Sequence, residues 1–211
     1  KTDVIRGILN SEKNIEMRIK RLGDFVLSLI LLILSFPILL ITILIIYLQD
    51  SGPIFYSQIR TGKNGDILKI TKLRTMKVNA EKKGPQWSKK NDPRITQFGY
   101  LLRKLRIDEL PQLISVLKGE MSLIGPRPER PIIEKELIKK IPNYHLRYSI
   151  RPGISSWAQV NYPYGASIND SAKKLSYDLF YIKNFSIFLD ILIFFKTIKL
   201  VFNAKGAIAK N

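Results

Sequence analysis

The run Phe25–Gln49, FVLSLILLILSFPILLITILIIYLQ, decides how the rest of the chain can fold. It holds no charged residue. As a straight helix it reaches roughly 37 Å at 1.5 Å per residue, more than the ~30 Å hydrocarbon core of a bilayer. It is too long for a cleavable signal peptide and has no small-residue cleavage site. Two features oppose a simple span. Pro37, at the middle, removes a backbone donor and bends the helix, and Ser35 stands where it can satisfy a freed carbonyl. Basic residues favour the cytoplasmic side, and they flank both ends: Lys20 and Arg21 before the run, Arg60, Lys63, Lys69, Lys72 and Arg74 after it. A helix-break-helix hairpin that enters and leaves one leaflet suits both flanks. A kinked span suits the length. Both readings stand on the residues alone.

Outward from that run, the chemistry concentrates in Arg103–Pro128, RKLRIDELPQLISVLKGEMSLIGPRP. Leu110, Leu113, Ile114 and Leu117 recur at helical spacing, and Gly119 is placed to cap the helix end. Pro111 is tolerated only in a first turn, so the helix is expected to begin near Asp108. A carboxylate there meets the positive end of the helix dipole, with Arg103 and Arg106 close by. The expectation is a lowered Asp108 pKa. The same helix end attracts phosphate. Arg127, between two prolines, offers a planar donor on a fixed backbone. The plain alternative is that Asp108 only caps the helix and Glu109 is solvated. The flanking arginines, the Pro-Arg-Pro sequence and the apolar run argue for phosphate chemistry in which the Asp108–Glu109 pair works with a divalent metal.

Composition narrows the options. The 211 residues suffice for one moderate domain with appendages. Lys and Arg number 35 against 17 Asp and Glu, a formal charge of +18, which calls for anionic partners. With no cysteine, disulfides, thiolate metal sites and Cys nucleophiles are excluded. His145 is the single histidine, so multi-His metal sites are excluded too. No nucleophile-elbow sequence accompanies it, and its expected role is structural or interfacial. Carboxylates, Arg, Lys, hydroxyls and a hard metal are what remain.

The other segments read as support. Residues 1–24 form a basic N-terminal segment or linker, 25–49 the membrane element, 50–202 a catalytic domain and 203–211 a tail. The chain starts at Lys1 rather than Met and reads as a processed chain or a piece of a longer one. Two β-rich runs, Ile54–Arg60 and Ile67–Arg74, flank Asn64-Gly65, a hairpin signal. Lys69, Lys72 and Arg74 on the second are either a solvated face or a basic wall beside a substrate. Lys77–Phe98 is a loop whose Trp87 packs, stacks on a base or sits at a membrane interface. Phe98–Arg106 is a short basic helix expected to hold Leu101, Leu102 and Leu105 on one side. A helix lies between Pro131 and Pro142. In RPGISSWAQVN, Arg151 is a second candidate phosphate contact and Gln159 a candidate for base or sugar recognition. Lys173–Lys183 and Ser186–Phe202 are amphipathic helices, the second lying among lipid headgroups or packing on the core. The fold class is α+β, mostly α.

These blocks together resemble the bacterial sugar transferases, the monotopic phosphoglycosyl transferases. The resemblance rests on RKLRIDELPQLISVLKGEMSLIGPRP, GPIFYSQIRTGKNGDILKITKLRTM, RPGISSWAQVN and KLSYDLFYIKNFSIFLDILIFFKTI, in the expected order, and covers nearly all of Arg18–Phe202. It implies a re-entrant helix in one leaflet, at the cytoplasmic face of the bacterial inner membrane. It implies transfer of a sugar 1-phosphate from a UDP-sugar to undecaprenyl phosphate with release of UMP, and a Mg²⁺ requirement. The family's nucleophile and its metal-assisting Glu match Asp108 and Glu109; its phosphate-holding arginines match Arg103 and Arg127. Membrane phospholipids are expected partners, a second copy in a homodimer is a candidate, and nucleic acid is not expected. Two rivals carry other outcomes: a basic non-enzymatic protein bound to acidic lipid or nucleic acid, and a transferase that moves the sugar alone and releases UDP.

Overall fold

A computed structural model describes residues 11–80, 84, 92–162, 165 and 167–203. The first ten residues, Trp87 and most of its loop, and the tail from 204 lie outside the described residues.

Helix α1, Ser11–Gln49, takes in the whole apolar run and begins upstream of it. Pro37 sits inside, and the backbone stays helical through it, so the expected break is not an interruption of the helix. The Ser35 hydroxyl donates to the Leu32 carbonyl at 3.3 Å. The carbonyl that Pro37 deprives of its i+4 donor is that of Ile33, one residue along. Among the described residues, Ile15–Gln49 is the one helix long and apolar enough to cross a membrane. Only 11% of its most apolar stretch is buried, which is unlike the core helix of a soluble domain.

One face of α1 carries its buried positions, Asp24, Ser28, Leu39, Thr42 and Ile46. Near the start, Asp24 accepts from Ser122 Oγ (2.7 Å) and from the Leu123 amide (3.2 Å). Lys20 pairs with Asp190 at 2.6 Å, and Arg21 donates to the carbonyls of Val116 and Leu117. Near the end, Leu39 and Ile46 pack against Leu73 and Leu102. Both ends of α1 are therefore tied to one body.

That body starts with an antiparallel hairpin, β1 (Phe55–Thr61) and β2 (Ile67–Leu73), in which Tyr56 pairs with Lys72. Asn64 (φ 57°) and Gly65 (φ 87°) make its turn in the left-handed conformation that Asn-Gly favours. Helix α2 (Gln97–Lys104), capped by Thr96, is shorter than expected. Leu102 faces inward, whereas Leu101 and Leu105 are exposed beside Tyr100. Then follow a 3-10 helix (Ile107–Gln112), α3 (Leu113–Lys118), β3 (Ser122–Ile124) and α4 (Pro131–Lys140). After a second 3-10 helix (Tyr144–Ser149), β4 (Gly153–Ser155) pairs parallel with β3. Neither short strand was legible as such. Helices α5 (Trp157–Asn161), α6 (Ile168–Lys183) and α7 (Ile187–Phe202) complete the chain. Ile193 on α7 is wholly buried with Tyr181 and Phe185, while Phe188, Phe195 and Phe202 on the same helix are exposed. Helix α7 therefore both packs and presents an apolar outer face.

Candidate active site

The expected helix at Asp108 exists, but its first turns are the 3-10 helix, with Pro111 inside, and the α form begins at Leu113. Arg106 precedes it at φ 60°, a left-handed conformation that costs a non-glycine residue roughly 1–2 kcal/mol. That sharp turn brings Arg106 Nη1 to Glu109 Oε2 at 3.2 Å. Gly119 (φ 85°) ends α3 as expected.

Glu109 is the best-held carboxylate of the site. Its Oε1 accepts from Lys72 Nζ at 2.8 Å and from Arg127 Nη2; its Oε2 accepts from Arg106 and, at 3.3 Å, from Arg127 Nη1. Each oxygen thus receives two donors, and Arg127 grips both in the fork geometry suited to carboxylates and phosphates. Burial pushes the Glu109 pKa up, but Arg127, Lys72 and Arg106 outweigh it and hold the group well below its usual range. Lys72 is lowered by its own burial despite Glu109.

Asp108 is the contrary case. It is 6% exposed, and its Oδ1 makes no hydrogen bond. Burial, then the neighbouring Glu109 charge, raise its pKa to about 6, against the pull of Lys72, Arg103 and Arg106. The expectation of a lowered pKa is corrected here: burial and a like charge outweigh the arginines and the helix end. Two adjacent carboxylates are thereby driven apart, one firmly ionised and paired, the other with a buried oxygen that no donor holds.

Arg103 approaches from α2, its Nε donating to Thr75 Oγ1 at 2.8 Å, and acts on Asp108 through charge. Gly99 makes this possible, because a Cβ there would stand 2.0 Å from the Thr75 carbonyl. Arg127 comes from the loop after β3, tied by Gly125 N to Ser155 O (2.9 Å) and Gly153 N to Pro126 O (3.0 Å).

Two expected phosphate contacts lie elsewhere. Arg74 pairs with Asp50 and donates to the Asp50 and Ile46 carbonyls, capping the end of α1. Arg151 donates from Nε to the Gly119 carbonyl at 2.7 Å, capping α3. In both cases the nearest fixed acceptor is a carbonyl left open at a helix terminus. Gln159 lies in α5, with its Oε1 buried and unbonded. Sequence reasoning missed Arg147 and Asp178, whose buried pair stands behind Arg127. No local pattern in PNYHLRYS or KLSYDLF marks them.

Among the described residues, no group of three carboxylates or histidines could hold a metal by itself. A hard cation such as Mg²⁺ needs only one or two carboxylates when substrate phosphates supply the other ligands. Asp108, with Oδ1 unbonded, can join that sparser donor set as it stands, whereas Glu109 must first give up donors to do so.

A buried carboxylate pair of split acidity and three converging cations thus lie in a chain whose first helix is long and apolar enough to cross a membrane. A family model described as bacterial sugar transferase matches residues 15–204, and the chain belongs to that family. It is 46% identical over 189 residues to a UDP-N-acetylgalactosamine-undecaprenyl-phosphate N-acetylgalactosaminephosphotransferase of Aeromonas hydrophila, covering 90% of this chain and 45% of that protein. It is 38% identical over 191 residues to a UDP-glucose:undecaprenyl-phosphate glucose-1-phosphate transferase of Escherichia coli K12, covering 90% of this chain and 41% of that one. An exopolysaccharide production protein of Rhizobium leguminosarum is 37% identical, and the match covers 87% of this chain and 94% of that protein. The chain thus spans less than half the length of the first two relatives.

Proposed function

We propose that the protein transfers a sugar 1-phosphate from a UDP-sugar to undecaprenyl phosphate at the cytoplasmic face of the bacterial inner membrane. Asp108 Oδ1 attacks the phosphorus that carries the sugar. The bond from that phosphorus to the UMP oxygen breaks, and a phosphosugar–aspartyl intermediate forms. An oxygen of the lipid phosphate then attacks the same phosphorus and releases Asp108. The observation that carries this reading is the contrast within the pair. Glu109 is saturated by Lys72, Arg106 and Arg127, while Asp108 Oδ1 is buried and unbonded. The names of the Aeromonas and Escherichia relatives support the donor and acceptor classes.

Arg127, Lys72 and Arg106 are placed to exchange Glu109 for donor phosphate oxygens, and Arg103 to support charge beside Asp108. Mg²⁺, held by the donor diphosphate with Glu109 and Asp108, would neutralise charge on departing UMP. Leu101, Leu105 and Ile114, exposed on the helices that flank the pair in the chain, offer apolar surface for the acceptor's prenyl chain. Both ends of α1 grip one charged domain, which favours an element re-entering a single leaflet. A span would set those contacts ~30 Å apart across hydrocarbon.

The test is incubation of the protein in lipid nanodiscs with a panel of UDP-sugars, undecaprenyl phosphate and Mg²⁺. Release of UMP, sugar phosphate on the lipid, and label on Asp108 when acceptor is withheld are expected. Asp108→Asn should abolish all three while staying in the membrane. Release of UDP, or near-wild-type turnover by Asp108→Asn, would refute the reading.

A further inference from the structure

We infer that Arg147 is a positioning residue whose task is to fix the peptide that carries Arg127. The inference rests on the assignment of Arg127 to donor phosphate. Pro126 and Pro128 flank Arg127 and have no N–H, so this loop is anchored mainly through its carbonyls. Four consecutive carbonyls are each taken by a different donor. Pro126 O accepts from Gly153 N at 3.0 Å, Arg127 O from Arg147 Nη2 at 2.7 Å, Pro128 O from Arg60 Nη1 at 3.1 Å, and Glu129 O from Thr61 N at 3.0 Å.

Of these four, the Arg147 bond is the one made to the backbone of Arg127, whose side chain reaches Glu109 and also donates from Nη1 to the Ile154 carbonyl at 3.2 Å. The geometry of Arg147 is over-determined. Nη2 also donates to Asp178 Oδ2 at 2.8 Å, Nη1 donates to the Tyr144 hydroxyl at 2.6 Å, and the guanidinium lies 5.0 Å from the Tyr144 ring centre. Arg147 is 8% exposed and Asp178 2%. A planar fork held by a carboxylate and a phenol presents the second hydrogen of Nη2 in one direction. That direction is the Arg127 carbonyl, so the peptide plane, and with it the root of the Arg127 side chain, is fixed before substrate arrives. Arg147 touches neither Asp108 nor Glu109 in any of these bonds, so its effect on the reaction passes through Arg127.

The experiment is a double-mutant cycle on UDP affinity, measured by calorimetry on the full protein in nanodiscs, with thermal melting alongside. Arg147→Lys keeps the charge facing Asp178 but cannot span Asp178, Tyr144 and the Arg127 carbonyl at once. It should weaken UDP roughly tenfold in the Arg127 background and by less than about twofold in the Arg127→Ala background. Tyr144→Phe frees one side of the fork and should show the same background dependence with a smaller loss, which keeps the test decisive if Arg147→Lys folds poorly. Equal losses in both backgrounds, or no loss in either, would overturn the positioning role. If Arg127→Ala by itself leaves UDP affinity unchanged, the phosphate assignment fails first and this inference falls with it.

Discussion

Acidification is expected to silence the proposed transfer before it unfolds the protein. As the proposed nucleophile, Asp108 must be ionised, and burial and Glu109 place its pKa at about 6. At pH 7.5 about 97% of it is charged, and at pH 5 about 9%, so kcat/KM should fall roughly tenfold between those values. Stability should move the other way. The folded pKa of Asp108 exceeds its ordinary 3.8, so the native state takes up this proton before the unfolded chain does. Between pH 6 and 4 that contributes up to ~3 kcal/mol in favour of folding as pH drops. Glu109 has the opposite sign. Its pKa is held well below 4.5, so what its ion pairs contribute is complete above pH 4.5 and is lost only as pH falls through its depressed value.

The donor half-reaction is the one to assay, because the lipid phosphate carries a second proton that titrates near pH 6 and would confuse the acceptor step. Initial UMP release at low donor concentration should be followed from pH 5 to 9 at constant ionic strength. Thermal melting belongs in the same buffers. The expected profile has a single acid limb of unit slope near pH 6, with the melting temperature level or rising across it. A flat profile down to pH 5 would remove Asp108 as the ionised nucleophile. A melting temperature that collapses along the same limb would show unfolding in place of titration.

Three further outcomes follow from the contacts. Arg74→Ala and Arg151→Ala should each lower stability by about 1–3 kcal/mol, as lost charged hydrogen bonds to helix-end carbonyls do, while UDP affinity stays within twofold; calorimetry showing weakened UDP would return them to the site. Gly99→Ala should cost about 2 kcal/mol or more, because its Cβ would lie 2.0 Å from the Thr75 carbonyl, and it should disturb Arg103 through Thr75; an unchanged melting temperature would contradict this packing. Cysteines at the exposed positions Arg18 and Lys63, on either side of the apolar run, should react with an impermeant thiol reagent from the same face of sealed vesicles. Reaction from opposite faces would mean that α1 spans.

Much of the scaffold was legible because its signals are local. Asn64-Gly65 fixes a hairpin by backbone conformation, Pro131 and Pro142 bracket α4, and Ser186 caps α7 by accepting from the Leu189 amide. The pairing of Lys72 and Arg127 with the acid pair was legible in part, since a basic residue on an inward strand position and one locked between prolines have few other uses. The capping box of Ser167 and Asp170, which starts α6 five residues ahead of the amphipathic run, was there to be read in SINDS and was not used. The short strands β3 and β4 gave no such signal, because three residues are too few to show a period.

The arginines that lie away from the acid pair have one physical explanation. A guanidinium binds a carbonyl oxygen as readily as a phosphate oxygen, and a chain with an excess of 18 positive charges has many to place. Arg21 and Arg151 close the end of α3, Arg74 closes the end of α1, and Arg147 holds the Arg127 peptide. Arg21 and Arg74 stand in basic stretches much like the one holding Arg106, and Arg147 and Arg151 stand alone. What separates them is the acceptor that the tertiary fold brings within reach, a property no spacing records. The acidity of Asp108 escaped for the same reason. Its two arginine neighbours are visible in the sequence, but the burial that outweighs them comes from β2, α2 and α1 packing on the 3-10 helix. The residues that serve as acceptor and donor are therefore chosen together, by the closing of the Arg127 loop over the start of the 3-10 helix. A variant that loosens that loop is expected to affect the Glu109 ion pairs and the proposed phosphate contacts in one stroke.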